Sequence, residues 1–187
     1  MNILQTDLPV VYLKQGEMYF AEEPALITTV LGSCLSAAMF NSRLRLGALC
    51  HGMLPRCPGA DACSADCNEG FKYVACSIRR MVARFAAYGV RREELEVKLF
   101  GGADMFNTAG RGDGVITVGR QNIAAAMELI GVESLRVSAL DVGGLRGRKI
   151  FFYSHTGEVA LKRLRPSDTV IPASEGLYRP AAATAAA

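Results

Sequence analysis

Residues 24–31 read Pro-Ala-Leu-Ile-Thr-Thr-Val-Leu, an apolar, β-branched run that predicts a buried strand, and Gly32-Ser33 supplies the bend that ends it. Residues 34–40 predict a second apolar element, residues 41–45 (Asn-Ser-Arg-Leu-Arg) a tight polar reversal, and residues 46–51 a third strand. Farther along the period changes. Val74, Ile78, Met81, Val82 and Phe85 recur at helical spacing and stop at Gly89-Val90, after which residues 95–100 predict a strand running into Gly101-Gly102. The unit then repeats. Ile123, Ala126, Met127 and Ile130 form the stripe of a second helix stopping at Gly131-Val132, and the strand of residues 135–140 leads through Asp141-Val142 to Gly143-Gly144. Residues 149–154 and 159–164, separated by His155-Thr156-Gly157-Glu158, predict a closing hairpin. Alternating helices and strands with hairpins at both ends predict the α/β class: a single-domain sandwich of mixed β-sheet covered by helices.

Composition limits what such a domain does. With 187 residues, half of them hydrophobic, the chain can bury one substantial core, and no proline-rich or charged linker divides it. One domain is expected over residues 1–172, followed by an alanine-rich tail over residues 173–187. The uncharged stretch of residues 24–42 is long enough to raise a membrane helix, but its threonines, serines and mid-run glycine suit buried strands, so no membrane insertion is expected. The N-terminus lacks the basic start, apolar region and small-residue cleavage site of a secretory signal, which points to the cytoplasm. A net charge of +3 without aromatic interleaving argues against nucleic acid, and no glycine-rich stretch has the spacing of a phosphate loop or dinucleotide fold. Arginine supplies sixteen of the twenty-one basic residues, with groups at Arg79, Arg80, Arg84 and at Arg91, Arg92 that suit either a solvated helix face or an acidic protein partner.

The candidate chemistry lies at the ends of the first strands. Cys34 follows the Gly32-Ser33 bend, and His51 comes seventeen residues later, so one strand out and one strand back return the imidazole to the level of the thiol. A thiolate nucleophile with a proton carrier beside it is the minimal apparatus for cysteine-based acyl transfer. Thr28 and Thr29 are the nearest groups able to hold the imidazole tautomer. The backbone N–H groups of Ser33 and Cys34 are candidate oxyanion donors. A zinc-dependent base deaminase would need His-x-Glu, whereas Gly52-Met53 follows His51. A separate cluster, Cys57, Cys63, Cys67 and Cys76, spaced by five, three and eight residues, suggests either a structural zinc site, chiefly at Cys57, Cys63 and Cys67, or free and redox-active thiols.

Several motifs in order carry a resemblance. Thr28-x5-Cys34 within Leu31-Gly32-Ser33-Cys34, His51 followed by Met53-Leu54-Pro55, Lys98-Leu99-Phe100-Gly101-Gly102-Ala103, Val118-Gly119-Arg120-Gln121-Asn122 and Asp141-Val142-Gly143-Gly144-x3-Arg148-Lys149-Ile150 together closely resemble the CheD family, the chemoreceptor glutamine deamidases of bacterial chemotaxis. The resemblance runs from about residue 10 to residue 165. It implies a cysteine hydrolase that converts glutamine side chains of methyl-accepting receptors to glutamate, with Cys34 as nucleophile, His51 as general base and acid, and Thr28 as orienting group. It also makes Gly101 and Gly102 candidates for the wall of the substrate site. The implied partners are the cytoplasmic helices of the receptors and a CheC-type phosphatase, and no cofactor is required. The rival reading is a non-catalytic chemotaxis binding module that acts through such a phosphatase.

Overall fold

The computed structural model describes residues 7–58, 70–104 and 116–165. Among them the chain forms strands β1 (Val10–Tyr12), β2 (Met18–Ala21), β3 (Leu26–Leu31), β4 (Leu35–Asn41) and β5 (Leu46–Cys50), then helix α1 (Val74–Ala87) and strand β6 (Glu96–Gly101). Helix α2 (Val118–Val132), β7 (Arg136–Val142), β8 (Arg148–Tyr153) and β9 (Val159–Arg163) complete the order. The strands make two sheets, one ordered β1-β3-β8-β9 and the other β2-β5-β4-β6-β7. Both are mixed: β1 lies parallel to β3, and β7 parallel to β6, within otherwise antiparallel ladders.

Layering follows from which side chains each strand offers. Strand β4 is buried at all seven positions because both of its faces are covered, which is why its sequence is a continuous apolar run instead of an alternating one. Its odd positions Leu35, Ala37 and Met39 join Ala48 and Cys50 of β5 in a core with Ile78, Met81, Val82 and Phe85 of α1 and Ala126, Leu129 and Ile130 of α2. On the opposite face, Ala38 and Leu49 meet Ile27 and Leu31 of β3 and Ile150 and Phe152 of β8 in a second core between the sheets. Truncating a side chain as deeply placed as Phe85, 0% exposed, would cost about 3–5 kcal/mol through lost burial and the cavity left behind.

The α/β class and the single mixed-strand domain agree with the sequence expectation, but the layering differs from it. The helices cover one sheet on its outer face only, and a second sheet closes the other face. Strands β1 and β2 have little signal of their own, being three and four residues long; they form because β3 and β5 offer them ladder partners. Helix α1 ends as expected, with Gly89 at φ +70 and the Val90 N–H bonded to the Phe85 carbonyl. Helix α2 instead runs through Gly131, and Ser134 takes the left-handed position at φ 53. Met127 also falls off the expected stripe and is 42% exposed, while Asn122 lies in it.

Candidate active site

Pairing of β4 with β5 brings the cysteine and the histidine together. Beyond the strands proper, Leu35 and Gly52 exchange two backbone hydrogen bonds of 2.9 Å, in the same register as Ala38 opposite Leu49. His51 therefore stands opposite Ser36. Cys34, two residues from Ser36 on the same face, is its diagonal neighbour, a relation in which Cα atoms stand about 7–8 Å apart and longer side chains reach each other. That face looks into the space between the sheets, where Cys34 packs against the second core. The thiol is partly accessible, whereas His51 is 2% exposed.

A relay of hydrogen bonds fixes the imidazole. Thr29 Oγ1 donates to the Leu13 carbonyl at 2.7 Å and lies 2.7 Å from His51 Nδ1. A hydroxyl has one proton, and here the carbonyl takes it, so the contact to Nδ1 is made only if Nδ1 carries its own hydrogen and donates to Thr29. Nε2 is then left unprotonated. It is buried and has no hydrogen-bond partner among the described residues. The His51 backbone is held as well, its N–H by the Glu17 carbonyl and its carbonyl by the Gly16 N–H.

The hydroxyl that contacts the imidazole is that of Thr29, whereas Thr28, the residue to which the resemblance gives the orienting role, bonds elsewhere. Successive residues of a strand face opposite ways. Thr29 shares a face with Ile27 and Leu31, which point into the core between the sheets, while Thr28 points the other way and donates to the Ile150 carbonyl of β8 at 2.8 Å.

Burial sets the resting protonation. It pushes the His51 imidazole down from 6.5 to about 4, only partly opposed by the nearby Leu13 carbonyl. Burial also raises the Cys34 thiol above its usual value, with the residue's own backbone N–H acting against it. Both directions favour the uncharged forms, a thiol and a neutral imidazole. Nε2 is the unpaired nitrogen of the ring, on a residue that shares a sheet face with Cys34. The N–H groups of Ser33 and Cys34 donate to no backbone acceptor among the described residues.

The glycine pair at the end of β6 forms a buttress for the turn that carries Cys34. Gly102 N–H donates to the Cys34 carbonyl at 2.7 Å, and Ala103 N–H to the Gly32 carbonyl at 2.8 Å. Gly101, at φ +111, comes so close that a Cβ built there would stand 2.2 Å from the Cys34 carbonyl oxygen. The close backbone approach at Gly101, a candidate for the wall of the substrate site, is to Cys34. Two residues without an assigned role join this network. The buried guanidinium of Arg148 holds Asp141 Oδ1 at 2.7 Å and bonds the Gly143 carbonyl, while the Gly143 N–H donates to the Gly101 carbonyl at 2.8 Å. Asn122, 0% exposed, donates to the carbonyls of Ser33 and Met53. Its signal in the sequence was a polar residue within an apolar helical stripe.

The cysteine cluster is only partly in view. Cys57 is half-buried and Cys76 is buried on α1, whereas Cys63 and Cys67 lie outside the described residues, as does the tail of residues 173–187. Among the described residues no three His, Cys, Asp or Glu side chains are grouped to hold a metal ion. Arg84, Arg91 and Arg92 pair with Glu22, Glu94 and Glu133 of the same chain, so the basic groups near α1 are largely neutralised internally. Among the described residues no helix is long and apolar enough to cross a membrane.

A partly exposed thiol, a buried imidazole with one free nitrogen and a hydroxyl bonded to its other nitrogen make a candidate cysteine-histidine site on an α/β sandwich. A family model described as CheD chemotactic sensory transduction matches residues 53–163. A probable chemoreceptor glutamine deamidase CheD 2 of Geobacter sulfurreducens is 47% identical over 168 residues, covering 90% of this chain and 98% of that relative. A probable chemoreceptor glutamine deamidase CheD of Maridesulfovibrio salexigens is 37% identical over 165 residues, covering 86% of this chain and 95% of its own. The chain belongs to the CheD family.

Proposed function

We propose that this protein is a chemoreceptor glutamine deamidase, an amidohydrolase that converts receptor glutamine side chains to glutamate and releases ammonia. The observation that carries this reading is the free Nε2 of His51, buried on the same face as Cys34 and fixed by Thr29, in a chain whose relatives are named for this activity. The Cys34 thiol gives its proton to Nε2 as sulfur bonds to the carboxamide carbon, and the oxygen takes up negative charge beside the amides of Ser33 and Cys34. The imidazolium then protonates the nitrogen, the C–N bond breaks, and ammonia leaves a thioester. Water attacks that thioester with His51 again taking the proton, the C–S bond breaks, and the thiol is restored. Glutamine plus water has become glutamate plus ammonia.

The receptors' cytoplasmic helices are the substrate surface, which puts the enzyme in the cytoplasm. A CheC-type phosphatase is a proposed regulatory partner on the strength of the family resemblance. No step of the proposed reaction uses a metal. The deciding experiment incubates receptor cytoplasmic domains with the protein or with Cys34→Ala, followed by mass spectrometry. Each turnover raises the substrate mass by about 1 Da as an amide nitrogen is replaced by oxygen. The variant, with an unchanged unfolding transition, should leave the mass unaltered; an undiminished shift would sink the cysteine mechanism and favour the binding-module reading.

A further inference from the structure

The ladder between β4 and β5 closes at the Leu35–Gly52 bridge, and beyond it the carbonyls of Ser33 and Met53 are both acceptors of one side chain. Two acceptors cannot bond each other. A third group with two hydrogens to give can join them directly. Asn122, in the second turn of α2, is that group: its Nδ2 donates to the Ser33 carbonyl at 3.0 Å and to the Met53 carbonyl at 3.0 Å. These contacts also settle which end of the amide is nitrogen, because only the NH2 can bond two carbonyls.

Ser33 immediately precedes Cys34, and Met53 lies two residues beyond His51. The side chain therefore ties together the two segments that carry the reacting groups. Its own position is tightly set: a Cβ at Gly119, one turn earlier on α2, would stand 2.5 Å from the Gly102 carbonyl oxygen, and Gly102 in turn donates to the Cys34 carbonyl. Packing does not account for an amide here. Asn122 is 0% exposed, lies among Gly119, Ala125, Ala126 and Leu129 of the buried stripe, and its Oδ1 is buried without a partner among the described residues. An unpaired buried acceptor costs stability, so an amide at this position calls for a reason other than packing.

We infer that Asn122 is a positioning residue of this site, a clamp that sets the separation of the Cys34 thiol from His51 Nε2 by bonding the Ser33 and Met53 carbonyls together. The inference rests on the proposed deamidase reading for its role in turnover, but the geometry it invokes can be read without any receptor. Proton transfer from sulfur to nitrogen depends on that separation, and a displacement of about 1 Å can cost roughly 10²-fold in rate.

The test uses the full chain with Asn122→Ala and with Asn122→Leu, which refills the volume without a donor. Ala126→Gly serves as a control that weakens the same helix without touching either segment. Three quantities are measured on folded protein: kcat and KM for receptor-domain deamidation, the unfolding transition, and the rate of Cys34 alkylation by iodoacetamide from pH 5 to pH 9 in comparison with His51→Ala. The expected result for both Asn122 variants is a kcat lower by roughly 10²-fold, with KM changed by less than about threefold. Cys34 alkylation should take on the pH profile of His51→Ala, while Ala126→Gly keeps the parent profile. Parent-like alkylation with activity falling only as the folded fraction falls would make Asn122 a structural tie and overturn the inference, as would failure of both variants to fold. A wild-type protein that leaves receptor glutamines intact, yet whose Cys34 reactivity depends on His51 and Asn122, would defeat the deamidase reading and leave the clamp standing.

Discussion

One proton on Thr29 decides how His51 works. Because the hydroxyl donates to the Leu13 carbonyl, it accepts from Nδ1 and leaves Nε2 as the basic nitrogen. Thr29→Val keeps the strand and its packing but leaves the imidazole free to tilt or change tautomer, so deamidation should fall by roughly 10²-fold. Thr28→Val removes only the bond to the Ile150 carbonyl, so it should cost about 1 kcal/mol of stability and leave kcat within a few-fold. Parallel kinetics and denaturant titrations of the two variants check this; a larger kcat loss in Thr28→Val would restore the assignment taken from family position. Sequence could not separate neighbours of identical type. The cysteine and histidine were legible because one lies beside a bend and the strands return the other to it.

Among the elements, the β6 end bears on the nucleophile most directly. A methyl at Gly101 would stand 2.2 Å from the Cys34 carbonyl oxygen, at a φ of +111 that side chains avoid. Gly101→Ala must push back the turn holding Cys34, and should lower both the melting temperature and kcat, the latter by roughly 10²-fold. Gly131 offers the contrast. It sits inside α2, exposed, with nothing within 4 Å of an added Cβ, so Gly131→Ala should raise stability by about 0.5–1 kcal/mol and leave activity unchanged. Thermal melts and turnover assays of the pair decide it, and equal effects at the two glycines would count against the buttress. The helices and long strands were visible in the sequence because their apolar spacing is strong. Strands β1 and β2 were not, since three or four residues have no period of their own and become strands only through their neighbours.

For the whole molecule, the space between the two sheets makes stability depend on pH. His51 titrates near 6.5 when unfolded but at about 4 in the folded protein, so its neutral form is the one the fold accepts. The stability it permits is fully present above about pH 6.5 and is lost as pH falls toward 4, by at most about 3 kcal/mol. Melting curves from pH 7 to pH 4 should show this loss, and His51→Gln, which cannot titrate, should flatten that part of the profile; an identical acid dependence in the variant would mean that burial does not hold the imidazole neutral. The sequence by itself determined the strands and helices of strong pattern, the α/β class, the Cys34–His51 pair and the family, because these rest on local periodicity, turn residues and order along the chain. Only the tertiary structure decided that two sheets enclose the site, that Thr29 faces His51, that burial favours the uncharged forms of Cys34 and His51, and that Gly101, Arg148 and Asn122 join the hydrogen-bond network around the turn that carries Cys34. Those outcomes depend on which face of a strand meets which layer and on how much water is excluded there, quantities that arise between segments far apart in the chain.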